Sequence, residues 1–175
     1  MERLWNIVHY FAYRADYKLH MSFSKIEPVG FLLKILFSVP FIKNAYLKKG
    51  ITLETINNAV DDAFKRTDIG ISSIFAGGIM YVLPVFFFTG IILIFISFME
   101  VKPKRFTPFL TIYIVLIVIS FLLNYLLLFN KNKYLKYFKE FSKKPKKWKL
   151  KCAIISMGVI FFVFLLLVLG FISNL

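Results

Sequence analysis

A single cysteine, Cys152, rules out an internal disulfide and leaves the redox compartment unreadable. Acidic residues are scarce: nine, against 23 lysines and arginines, with two histidines. They form no metal, catalytic or nucleotide motif, so neither an enzyme nor a cofactor is expected. Most telling is the absence of charge from three long stretches, 71–99, 106–129 and 152–175. A helix on the surface of a soluble protein keeps a polar stripe. Uncharged apolar blocks of more than about 20 residues have the length of membrane spans instead. A cleavable signal peptide is not expected either. The chain opens Met1-Glu2-Arg3, and the run starting near residue 71 is expected to act as an uncleaved insertion signal.

What fills the chain is apolar: 59% of residues are hydrophobic, 22 are phenylalanine, and mean hydropathy is +0.72. A soluble domain is nearer 45–50%. The expected fold is an all-α integral membrane protein with three transmembrane helices, an antiparallel hairpin plus a C-terminal span. Residues 1–70 precede them as a cytosolic or interfacial region of amphipathic helices. The first span, 71–99, has 29 residues, about 43 Å of helix. That exceeds the hydrocarbon thickness, so it must tilt, kink or protrude, and Pro84 offers the kink. The link 100–105 is short enough to force the second span, 106–129, back beside the first. A lysine-rich segment, 130–151, leads to the third span, 152–175. No internal repeat is visible.

The lysines set the expected orientation. Residues 1–70 hold ten basic residues and 130–151 hold ten more, while the 100–105 link holds three and the tail none. Three spans put twenty on one side and three on the other. The positive-inside rule makes the first side cytosolic, with the N-terminus in and the C-terminus out. A bacterial inner membrane is the expected location. A fourth span at 29–42 would move Arg3, Arg14, Lys18 and Lys25 to the other side and worsen the split. That segment is short, carries Lys34 and is interrupted by Pro40, so an interfacial or re-entrant course is expected. The net charge of +14 matches anionic headgroups. Lys143, Lys144, Lys146, Lys147 and Trp148 are the expected lipid contacts, and nucleic acid is not an expected partner. Tyr134, Tyr137, Phe138 and Phe141 make an aromatic stripe at i, i+3, i+4, i+7. It predicts that the second span continues as helix towards Pro145, the stripe covered by headgroups or by the N-terminal helices.

In residues 2–20, Leu4, Ile7, Val8, Phe11, Ala12, Ala15 and Leu19 share one face at 100° per residue. The helix is expected to lie in the interface or pack on the rest of the cytosolic segment. His9, Tyr13, Asp16 and His20 fall opposite, and a solvated polar face is expected there. Asp16 and His20 are one turn apart, but two ligands do not make a metal site. Thr52 is placed to cap a helix running to about Arg66. Asp61–Lys65 and Asp62–Arg66 are expected as i,i+4 pairs. Its apolar stripe, Ile56, Ala59, Val60, Ala63 and Phe64, makes Ile56, Val60 and Phe64 the candidate docking residues for a partner. Ser73, Gly77, Asn124, Ser156 and Gly158 are expected at one depth near the cytosolic leaflet, as the helix-packing layer. The leading expectation is a non-catalytic subunit that anchors or organises a membrane complex, its partners other subunits of that complex or copies of itself. A small oligomeric pore, lytic or toxic, is the alternative.

Overall fold

The computed structural model describes residues 1–23, 35–99 and 107–174, with side chains described from 110 onward in the last block. Regular structure among them is helical: α1 Glu2–Phe23, α2 Pro40–Leu47, α3 Leu53–Lys65, α4 Ile71–Phe98 and α5 Thr107–Asn124. A π-helical turn, Tyr125–Phe129, and a 3-10 turn, Asn130–Asn132, follow α5 and lead to α6 Lys133–Ser142 and α7 Lys146–Ile172. Three apolar helical stretches are long enough to cross a membrane: Ile71–Phe98, one beginning at Leu110, and Lys146–Ile172. The link expected at 100–105 and residues 29–34 of the segment expected to re-enter at 29–42 lie outside the described residues.

The chain divides into two compact units, Tyr13–Phe75 and the combination of Met1–Ala12 with Ala76–Leu175. In the first, Thr52 caps α3 through a reciprocal box with Thr55: each hydroxyl accepts from the other's backbone N–H, at 3.1 and 2.7 Å. The turn before it uses Gly50 at φ 71°, a conformation that costs glycine nothing. The expected i,i+4 ion pairs of α3 give way to other partners. Asp61 meets His20 at 3.2 Å, and Arg66 forks onto Asp68 at 3.2 and 3.0 Å. Arg66 holds the Asp68 carboxyl down to about 2.

In the second unit, α4 runs antiparallel to α5 and parallel to α7. Residues 77, 80 and 81 of α4 meet 129, 124 and 120 respectively, whereas 90 and 93 meet 170 and 174. The backbones of α4 and α7 approach closely at Gly90 and Gly170. A Cβ on Gly170 would stand 2.8 Å from Gly90 O, and one on Gly90 would stand 2.9 Å from the Leu166 carbonyl. Asn174 Nδ2 donates to Leu93 O (2.8 Å) and Ser97 Oγ to Ser173 O (2.5 Å), closing that end.

Helical structure runs on from the second apolar stretch to Ser142, short of Pro145, but with a kink instead of as one continuous helix. It breaks where Lys131 and Asn132 both adopt positive φ, 55° and 53°. Asparagine tolerates this region; lysine rarely does. The break turns α6 so that Tyr134, Phe138 and Phe141 are buried.

Candidate functional site

Pro84 sits inside α4. It has no N–H, so the carbonyl of Met80, four residues earlier, loses its helical donor, and the ring disturbs the turn before it. Inside hydrocarbon such a carbonyl needs another partner. Helix α5 supplies it. Asn124 Nδ2 donates to Met80 O at 2.9 Å, and Ser120 Oγ donates to the next carbonyl, Tyr81 O, at 2.5 Å. Both side chains are buried, Asn124 completely. Asn124 also donates to Ser120 O within its own helix, at 2.8 Å. Its remaining acceptor, Oδ1, takes a bond from Trp5 Nε1 of α1 at 3.0 Å. One amide therefore ties three helices together.

The π turn that follows Asn124 also has its backbone groups answered from elsewhere. Asn6 Nδ2 donates to Leu127 O (3.0 Å) and Lys133 Nζ to Leu126 O (3.1 Å). A π turn widens the helix and disturbs its regular carbonyl ladder, which is what makes these acceptors available. Glu2 completes the junction, accepting from Lys133 Nζ at 2.8 Å and from the Tyr137 hydroxyl at 3.1 Å. The bond from Lys133, helped by that from Tyr137, holds the Glu2 carboxyl below its ordinary value. Arg3 donates to Glu140 at 3.0 Å.

The start of α1 thus packs inward through its polar and aromatic side. Asn6 and His9 are fully buried. The His9 imidazole lies among the rings of Phe138, Tyr134 and Phe129, at 5.1, 5.5 and 6.3 Å, and Tyr10 stands edge-on to Phe138 and Phe141. The expected solvated face is overturned in the other unit as well. His20 is buried, with its ring stacked flat on Phe64 at 3.6 Å, and the Tyr13 hydroxyl donates to Lys65 O at 2.5 Å. Of the aliphatic face read from the sequence, Val8 and Ala12 are buried, while Leu4, Ala15 and Leu19 are exposed. The aromatic stripe on α6 is covered by α1, one of the two covers expected for it.

The remaining candidates divide as follows. Gly77 is buried, but a Cβ there would meet only the Phe129 ring, at an ordinary 3.7 Å. Gly158 is exposed with nothing within 4 Å of its Cβ position, so the tight helix approach belongs to Gly90 and Gly170 instead. Ser73 and Ser156 are buried and bond backbone carbonyls nearby in the chain, Thr67 O and Cys152 O, each at 2.9 Å. Of the docking residues, Ile56 and Phe64 are half-buried and Val60 is exposed. Lys143, Lys146 and Lys147 are exposed, Lys144 reaches Glu140 at 3.6 Å, and Trp148 packs on Phe141 at 5.2 Å. No group of three or more His, Cys, Asp and Glu side chains among the described residues is placed to hold a metal ion. Sequence reasoning singled out Asn124 as a hydrogen-bonding residue but missed Trp5, Asn6 and Glu2. The available signal was Pro84, whose orphaned carbonyl demands a donor.

The architecture is that of an all-helical protein with three helices apolar and long enough to span a membrane. No protein-family model, characterised protein or solved structure matches the chain.

Proposed function

We propose that this protein is a non-catalytic helical membrane subunit that anchors or organises a larger membrane complex. One observation carries the reading. The three apolar stretches hold no Asp, Glu, Lys, Arg or His, the residues that usually mark ion paths and proton relays. Asn124 is spent on structure: it caps the carbonyl that Pro84 frees and is itself held by Trp5, while Ser120 bonds the next carbonyl. The N-terminus and the lysine-rich turn face the cytosol of a bacterial inner membrane, with the C-terminus outside. This assignment follows the charge asymmetry of the sequence.

The partner surface is the exposed side of α3, centred on Val60, which is 40% exposed. Phe64 is partly covered by His20 of the same chain, so Val60 is the cleaner residue to change. Affinity purification of Val60→Asp in mild detergent tests the proposal. Normal abundance with loss of co-purifying membrane proteins is the expected result. Retention of every partner would refute this docking surface.

A further inference from the structure

The corner between α6 and α7 carries a basic groove of about 430 Å³, lined by Lys136, Lys139, Lys143, Lys144 and Glu140. We infer that this groove is a binding site for the phosphate of an anionic phospholipid headgroup, an inference that rests on the membrane location proposed above. Glu140, the acid in the groove wall, does not neutralise it. Its Oε1 is already taken by Arg3 at 3.0 Å and Lys144 at 3.6 Å. Lys136, Lys139 and Lys143 form no ion pair among the described residues, so the groove holds surplus positive charge around a satisfied carboxylate.

A second feature of the same corner calls for an anion. Helix α7 begins with no side-chain cap and no acid in its first turn, and Lys146, Lys147 and Lys149 crowd that turn. Cations are disfavoured at this end, where the helix dipole is already positive. An anion in the adjoining groove relieves both charges. The lipid source is favoured by position. The lysines occupy the turn between two membrane-length apolar helices, and Trp148, a residue type favoured at the membrane boundary, packs beside them on Phe141.

The test uses the full chain and a charge-matched pair of variants. One is Lys136→Gln, Lys139→Gln, Lys143→Gln. The other removes three exposed lysines elsewhere, Lys43→Gln, Lys48→Gln, Lys49→Gln. Retention of phosphatidylglycerol by the delipidated protein is measured in mild detergent by titration and native mass spectrometry. Each lysine near an anionic surface contributes about fivefold, so the groove variant is expected to bind roughly a hundredfold more weakly. The second variant is expected to lose no more than about fivefold. Equal losses would overturn the site in favour of diffuse attraction, and so would undiminished binding by the groove variant. Displacement of the lipid by millimolar inorganic phosphate would overturn the lipid assignment. Purification of the parent without detergent would instead defeat the membrane reading on which the inference stands.

Discussion

Replacing Asn124 by leucine removes two cross-helix hydrogen bonds at once, to Met80 O and from Trp5 Nε1. Such bonds in membrane proteins average about 0.6 kcal/mol, with a maximum near 1.7. The expected destabilisation is therefore about 1–3 kcal/mol. Pro84 makes the argument testable in a sharper way. In a Pro84→Ala background the new backbone N–H supplies Met80 O with a helical donor, and the Asn124 amide becomes redundant there. Only the Trp5 bond is then left to lose, so the cost of Asn124→Leu should fall to roughly half. The assay is reversible unfolding of the purified protein in mixed micelles, for the parent, both single variants and the double variant. Independent sites add to within about 0.3–0.5 kcal/mol. If Asn124→Leu costs the same in both backgrounds within that margin, the capping of the proline-freed carbonyl is refuted.

Three further outcomes are expected. Gly170→Leu should destabilise the α4–α7 contact by about 1–3 kcal/mol through overpacking, whereas Gly158→Ala, at an open position, should be neutral or gain up to about 1 kcal/mol of helix propensity; micelle unfolding of the two variants checks this, and equal effects would refute the placement of the close approach. The Glu2 carboxyl is held below its ordinary 4.5, so its contribution to holding α1 is present above that value and lost as pH falls through the lowered one. Trp5 fluorescence in a Trp148→Phe background should report this loss on acidification below 4.5, and Glu2→Gln should remove the Glu2-dependent part of the transition. A topology reporter at Gly50 should behave as cytosolic and one at the C-terminus as extracytoplasmic, and the same compartment for both would defeat a three-span topology.

Much of the architecture was legible because hydrocarbon-length apolar runs, a proline and a threonine cap are local signals. The three long apolar helices, the Thr52 cap and the importance of Asn124 all follow from composition and spacing. The facing of α1 does not. A 100° periodicity finds an apolar face, and in water that face turns inward. Here the inward positions go to Asn6, His9, Tyr13 and His20, because their partners wait on other helices: Leu127 O, the α6 rings, Lys65 O and Asp61. The Leu127 carbonyl alone lies 121 residues from Asn6, beyond any local pattern. The same limit hid the close approach at Gly90 and Gly170. An apolar span carries small residues all round, and only the rotation of each helix against its neighbour decides which pair of backbones touch. The break after Phe129 was hidden too. Two residues at positive φ are unfavourable by themselves, and it is tertiary contact that holds them: Asn6 on the π turn, Glu2 on Lys133, and α1 over the buried rings of α6.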